Sequence, residues 1–483
     1  MRLKEKTISG LIWSFTGDIA DKAIAFVIGI ILARLLSPRE YGLVGMATIF
    51  IILTRPFVNS GFRQALIRKT NCTDTDYSTV FYFNFLVGGL TYLILFFSAP
   101  LISSFFHEPQ LTKITRLIGI IIIIDAATII QTTILSKELN FKRQTIINIS
   151  SGFFSGLVGI YLAIKGFGVW SLVYRTLTQY TLGSVCYWYL NRWKPIRVFS
   201  KSSFKEMFGF GSNILITGII EQFYYNIYNL VIAKFFSARD LGLYSRADMF
   251  KDMASTNLSE IIGRVIFPVL ANFQNDPVRL ALNYKKMLTS ILFITSIIMA
   301  CMAASAKSLI IALVGEKWID SIVYLQLLCV VGIFYPLHSL MRTLLYVTGK
   351  SRLFLYLQIF SKLLAIPAII TGIFFGIKAM IIAMIVVSAF EYLVKAFYSG
   401  KIVNYSVWQQ IGDFIPILLI SIFIGGSVFI FGSLLITDPL VTLILQIIFG
   451  LILIFTLSKL FRIPEFMLIK EIAGEKIRDI FKR

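Results

Sequence analysis

The sequence predicts an all-α polytopic membrane protein with about fourteen transmembrane helices, and three observations carry that expectation. Hydrophobic residues make up 57% of the chain and charged residues 15%, against roughly 45–50% and 25% in a soluble domain; mean hydropathy is +0.80. Runs near the ~20 residues needed to cross a bilayer recur, among them LILFFSAPLISSFF, LIGIIIIIDAATIIQTTIL, SILFITSIIMACMAASA and LVTLILQIIFGLILIFTL. Lysines and arginines gather in every second connection: MRLKEK, FRQALIRK, SKELNFKR, NRWKPIRVFSKSSFK, DPVRLALNYKK, GKSR and the tail from Lys459 to Arg483. Roughly 25 to 30 basic groups then fall on one side and under about 10 on the other, which by the positive-inside rule makes the rich side cytoplasmic and puts both termini there.

That placement decides how the formal charge of +21 is read. A basic balance is also the electrostatic footprint of nucleic-acid binding, but charge sorted by membrane side reports topology, and no nucleic-acid partner is expected. Cys72, Cys186, Cys301 and Cys329 fall in or beside apolar segments without paired spacing, so they are read as packing residues and not as disulfides or metal ligands.

Apolar runs and turn punctuation place helices at roughly 8–36, 40–60, 78–104, 111–136, 144–165, 167–190, 207–236, 240–271, 285–314, 319–346, 352–374, 376–399, 409–434 and 438–460. The first starts like a leader peptide, but Asp18, Asp21 and Lys22 interrupt its apolar stretch and no small-residue cleavage site follows, so it reads as a retained helix. Connections are short and leave no room for a separate soluble domain.

An internal repeat organises these helices. SPREYGL at 37–43 returns 200 positions on as SARDLGL at 237–243, preceded by ILARLL and VIAKFF respectively. SSFFHEP at 103–109 resembles IALVGEK at 311–317, and NFKR at 140–143 resembles GKSR at 349–352. Helices one to six therefore read as duplicated in seven to twelve, in one orientation, about an axis along the membrane normal. The expected division is an N-lobe over 1–200, a C-lobe over 201–402, and two extra helices with a basic cytoplasmic tail over 403–483. Within each repeated turn the acid and the glycine suit a helix start and a tight reversal.

Ionisable groups in a bilayer cost on the order of 2.5–3.5 kcal/mol each on insertion scales, so they face protein or a watery cavity. In the first helix Asp18, Asp21 and Lys22 share one face. At the matching place of the second copy stand Glu221 and Gln222, then Tyr224, Tyr225, Asn226, Tyr228 and Asn229; rings, hydroxyls and amides of this kind suit a sugar-binding wall, and they also suit helix-helix contacts. The eighth helix holds Arg246, Asp248, Lys251, Asp252, Glu260 and Arg264, too polar for a span facing lipid, so it lines water or a charged substrate; the other reading, a surface helix in the headgroups, would turn the later charge pattern to the wrong side. Arg55, Asn59 and Arg63 run down one side of the second helix. Guanidinium forks match phosphate oxygens, which makes Arg55, Arg63, Arg246 and Arg264 candidates for a diphosphate site, with helix anchoring as the other role of Arg63 and Arg264.

Nothing in the chain points to enzyme chemistry. His107 and His338 have no ligand spacing, and no GxxxxGK[ST] loop is present. No cofactor is expected; transport energy would come from a Na⁺ or H⁺ gradient, a membrane potential or the substrate gradient, with Asp18, Asp21, Glu221, Asp248 and Asp252 as carriers.

The run ILARLLSPREYGLVGMATIF after a polar first helix, GLYSRAD opening a polar eighth helix, GFGVW at 166–170 and the plan of six plus six plus two helices resemble the polysaccharide flippases of the multidrug, oligosaccharidyl-lipid and polysaccharide exporter superfamily, in particular the colanic-acid type of lipopolysaccharide and exopolysaccharide translocases. The resemblance covers essentially the whole chain. It implies two lobes in the bacterial cytoplasmic membrane that pass polyprenyl-diphosphate-linked oligosaccharide to the outer leaflet by alternating access, among membrane lipids and with a polysaccharide polymerase and glycosyltransferases as partners. A cationic cavity for the diphosphate is the pattern implied for such flippases. Three alternatives stay open: a cation-coupled drug antiporter, a lipid II flippase, and a membrane-embedded glycan polymerase or ligase, which would need a sizeable outer loop that this chain lacks.

Overall fold

The computed structural model describes the backbone of residues 3–59 and 61–460, with side chains there except at 3–12, 14, 59, 210–214, 257 and 260–265. Among the described residues no strand occurs, and ten helices are long and apolar enough to cross a membrane. The chain forms two compact units, Met1–Gly242 and Leu243–Arg483. This division follows packing, whereas the boundary at 200/201 follows the sequence repeat.

The first unit comprises α1 (Leu3–Leu35), α2 (Pro38–Asn59), α3 (Phe62–Arg68), α4 (Asp74–Phe106), α5 (Leu111–Ile118), α6 (Ile120–Lys137), α7 (Phe141–Ile164), α8 (Val169–Asn191), α9 (Lys201–Tyr225), α10 (Ile227–Phe235) and the opening of α11 (Ala238–Asn272). α1 lies on α7, and α7 on α8, around Ile28, Leu32, Leu36 and Leu172. Gly156 permits that approach, since a Cβ there would sit 2.0 Å from Ile28 Cδ1. A second cluster of Phe62, Leu66, Val80, Ile130 and Met207 ties α3, α4, α6 and α9 together. Thr73 and Asp76 close a reciprocal capping box at the start of α4, satisfying backbone donors that the first helical turn leaves open.

The second unit holds the rest of α11, then α12 (Pro277–Ala304), α13 (Ala306–Val314), a 3₁₀ turn (Glu316–Trp318), α14 (Ser321–Val347), α15 (Ser351–Phe375), α16 (Ile377–Val403), α17 (Val407–Leu434) and α18 (Pro439–Leu460). Its core gathers Tyr284, Leu288, Leu292, Leu340, Leu344 and Ile417 where α12, α14, α16 and α17 meet. Large apolar side chains such as Leu101, Phe374 and Leu419 point outward, as lipid-facing surfaces require.

Three stretches expected as continuous helices, 111–136, 207–236 and 285–314, are interrupted, and Arg63, expected to continue one side of the second helix, stands beyond a break. Gly61, in the left-handed region at φ 67°, separates α2 from α3. Gly119 parts α5 from α6, Asn226 parts α9 from α10, and Ser305 parts α12 from α13. Apolar residues flank Gly119, Asn226 and Ser305 on both sides, so hydropathy alone does not mark those three breaks. Both repeated turns, in contrast, are helix starts of one design. Ser37 donates from N and Oγ to Glu40 Oε2 at 2.6 and 2.8 Å, and Ser237 does the same to Asp240 Oδ2 at 3.2 and 2.6 Å.

Candidate functional site

In the first unit the polar side chains converge on a cavity of about 410 Å³ between α1, α3, α6, α7 and α8. Asp21 enters from α1, Arg63 from α3, Asp125 and Thr128 from α6, Asn148 from α7, and Gln179, Tyr180 and Tyr187 from α8. Small residues open the space: a Cβ on Gly152 would reach Asp21 Oδ1 at 3.5 Å, and one on Gly183 would reach Ser151 Oγ at 3.7 Å. The walls are held by their own bonds. Tyr187 Oη donates to Asn148 Oδ1 at 3.0 Å, Thr128 Oγ1 donates to Ser184 Oγ at 2.7 Å, and Gln144 Nε2 donates to Ser136 Oγ at 2.9 Å. Arg63 Nη2 donates to the same Ser136 hydroxyl at 3.3 Å, and Arg55 Nη2 donates to Tyr180 Oη. Asp125 stands within the electrostatic reach of both guanidinium groups.

Such a wall offers hydroxyls, amides, the carboxylates of Asp21 and Asp125 and the guanidinium group of Arg63, with that of Arg55 bonded to Tyr180, which suits a polar or anionic solute. Of the face expected on the first helix, Asp21 turns into the cavity, while Asp18 and Lys22 are exposed. Asp125 escaped sequence reasoning; the signal was a lone acid within a run of isoleucines, where an unpaired charge is costly.

On α9 and α10 the tyrosine and amide stripe divides. Glu221 and Tyr225 are exposed and Gln222 and Tyr224 half-buried. Asn226 is buried and donates from Nδ2 to Gln222 O at 2.9 Å, so it serves the break between the two helices. The carbonyl oxygen of the half-buried Asn229 side chain is enclosed without a hydrogen bond.

In the second unit Lys251 lies between two carboxylates on α11, with Nζ 2.6 Å from Asp248 Oδ1 and 2.9 Å from Asp252 Oδ1. The lysine stem packs on α14 at Gly332, where a Cβ would meet Lys251 Cγ at 3.1 Å. Arg246 is buried, with its guanidinium carbon 5.0 Å from the centre of the Trp318 ring. Glu260 and Arg264 lie on α11 with side chains outside the described residues. A further group that sequence reading did not assemble joins α14, α15 and α16: Glu391 accepts from Lys395 Nζ and from Ser361 Oγ at 2.6 Å, with His338 Nε2 3.8 Å away. Neither ring nitrogen of His338 has a hydrogen-bond partner.

No group of three or more histidine, cysteine or acidic residues able to hold a metal occurs among the described residues. The sequence profile of a family described as "Polysaccharide biosynthesis protein" matches residues 31–323. The teichuronic acid biosynthesis protein TuaB of Bacillus subtilis (strain 168) is 26% identical over 362 residues, covering 73% of this chain and 74% of its own. The lipopolysaccharide biosynthesis protein WzxC of Escherichia coli (strain K12) is 25% identical over 378 residues, covering 77% and 76%. Among solved structures, the lipid II flippase MurJ in an inward closed conformation matches with a TM-score of 0.75 at 16% identity, over 94% of this chain and 98% of its own; the likeness is one of fold.

Proposed function

This chain belongs to the polysaccharide biosynthesis protein family, whose profile spans residues 31–323, and from that premise we propose that it is a flippase, moving polyprenyl-diphosphate-linked oligosaccharide repeat units from the inner to the outer leaflet of the bacterial cytoplasmic membrane by alternating access. The observation that carries this reading is the polar, Arg63-bearing cavity set among the helices of the first unit. A soluble-type core has no use for such a wall, whereas a solute with a charged and hydroxylated head does. The shared fold with a lipid II flippase supports a lipid-linked cargo.

The finer points of the proposal follow from the same features. Besides the ten apolar helices, α1, α8, the α9 and α10 pair, and α11 complete fourteen spans, with their polar faces turned to protein or water. The sequence repeat supports two six-helix lobes with two added helices, and the basic connections support cytoplasmic termini. Arg63, which lines the cavity, and Arg55, bonded to the cavity residue Tyr180, are the diphosphate ligands best supported by geometry; Arg246 also serves packing through Trp318, and Arg264 rests on sequence alone. Sugar contacts fall to the tyrosines and amides of α9 and α10 other than the buried Asn226. Coupling to Na⁺ or H⁺ would run through Asp21 or another of the intramembrane carboxylates.

Translocation of a fluorescent polyprenyl-diphosphate oligosaccharide in proteoliposomes, with and without an imposed ion gradient, tests the proposal. Wild type should move the lipid and folded Arg55→Ala should not. Movement of lipid II or export of small cations in place of the oligosaccharide lipid would replace this reading with the corresponding alternative.

A further inference from the structure

SPREYGL and GFGVW, far apart in sequence, meet in a second pocket of about 540 Å³ at the helix ends opposite the basic connections of the first unit. Its volume falls inside the roughly 300–1,000 Å³ of small-molecule sites. The floor is fixed by a close contact. Gly168 has φ 56°, and a Cβ there would lie 2.5 Å from Glu40 Oε1, while the other oxygen of Glu40 is held by Ser37. On the rim Arg39 pairs with Glu108 at 2.9 Å. The remaining walls are uncommitted: Gln110 and Lys113 are exposed, with no side-chain hydrogen bond or ion pair among the described residues. Phe167 is 50% exposed and Trp170 half-buried beside them.

The repeat supplies an internal control. The register that aligns Glu108 with Glu316 puts Trp318 at the position of Gln110 and Ser321 at that of Lys113. Trp318 is 0% exposed, and Ser321 donates to Leu243 O at 2.9 Å, so the second copy fills and closes the corresponding place. Packing alone is thus served by a closed version of this corner. The first copy keeps it open and lines it with an amide, an ammonium group and two aromatic rings.

We infer that this pocket is a saccharide-binding site. Ring faces cover the apolar face of a pyranose, an amide both donates to and accepts from hydroxyls, and the ammonium group of Lys113 pairs with a sugar carboxylate. The inference rests on the flippase reading for its biological ligand, the glycan head of the cargo on the outer side of the membrane.

The test uses full-length protein in nanodiscs with tetragalacturonate and maltotetraose as probes, followed by saturation-transfer NMR. Both bind wild type, tetragalacturonate at least several-fold tighter, and Lys113→Met removes that preference. Gln110→Trp, which fills the pocket as the second copy does, weakens both by tenfold or more while leaving thermal stability unchanged; Trp170→Ala is the second variant. Absence of binding by both probes, binding that survives Gln110→Trp, or displacement by glycerol phosphate with no response to either sugar overturns the inference, the last outcome assigning the pocket to lipid headgroups. Saccharide binding without lipid translocation sinks the flippase reading alone, and translocation unaffected by a filled pocket that binds no sugar sinks the saccharide site alone.

Discussion

Gly42 and Gly242 face one another across a reciprocal contact: a Cβ on Gly42 would lie 1.6 Å from the carbonyl oxygen of Ala238, and one on Gly242 would lie 1.9 Å from that of Pro38. Each glycine therefore sits on the first turn of the other copy's helix, α2 against the opening of α11. Reciprocity of this kind is the mark of an isologous contact, here formed between two copies in one chain. It explains why SPREYGL and SARDLGL keep both their acid and their glycine. The acid caps the helix start, and the glycine lets the two starts touch.

Because the contact is one structure shared by two residues, its two halves should not behave independently. Gly42→Ala and Gly242→Ala each force backbone apart, a cost of about 1–3 kcal/mol or more for overpacking. Once the first substitution has separated the helices, the second has less to disrupt, so the double variant should be clearly less than additive in a thermal-denaturation cycle. Additive losses would show that the two glycines act at unrelated places.

Lys251 stands between Asp248 and Asp252 with all three side chains largely buried. Removing one partner of a buried charge group costs about 3–5 kcal/mol because the remaining charges lose compensation. Lys251→Met should lower thermal stability strongly, and adding Asp252→Asn should restore part of the loss by taking away one of the two stranded carboxylates. A double variant as unstable as the single one would mean that α11 is held by other contacts.

Lys69, in the connection between α3 and α4, reaches Glu206 at 3.0 Å and Asp76 at 3.2 Å. The hydrogen bond to Glu206, aided by Asp76, raises its pKa above the ordinary lysine value of 10.5. A group raised on folding adds stability below its unfolded pKa and loses it as pH climbs through the folded one. The stability gap between wild type and Lys69→Met should therefore stay constant from neutral pH to about pH 10 and shrink above that. A gap that widens with pH would reverse the sign and sink the assignment.

What sequence conveyed, and what it did not, divides along locality. The polar character of α1 and α11, the apolar spans and the two copies of the capped turn are written in neighbouring residues, and they stand out in the chain. Asp125 was hidden because its relation to Arg55 and Arg63 joins α6 to α2 and α3, and His338 with Glu391 because theirs joins α14 to α16. The break at Asn226 was hidden for another reason. An amide that caps an internal helix end looks in sequence like an amide that binds a ligand. Trp318 and Gln110 show the converse case, where aligned positions of a repeat carry opposite exposures that only the fold reveals.

Asp125 leads to a prediction about transport itself. On the proposed reading the arginines of the first unit bind an anionic head and then let it go, and a carboxylate within their field lowers the positive potential that the head would meet. Asp125→Asn keeps the shape of the side chain and one acceptor oxygen while removing its charge and turning the other oxygen into a donor. The cavity then becomes more cationic, so the diphosphate is held more tightly at every stage, release included. In proteoliposomes the half-saturating concentration of the lipid-linked oligosaccharide should fall several-fold, and maximal turnover should fall with it. Tyr180→Phe, which removes the hydroxyl that accepts from Arg55 without altering charge, should leave the half-saturating concentration nearly unchanged. Were Asp125→Asn instead to weaken binding, the carboxylate would be serving to orient the arginines, and the balance of charge would not govern release.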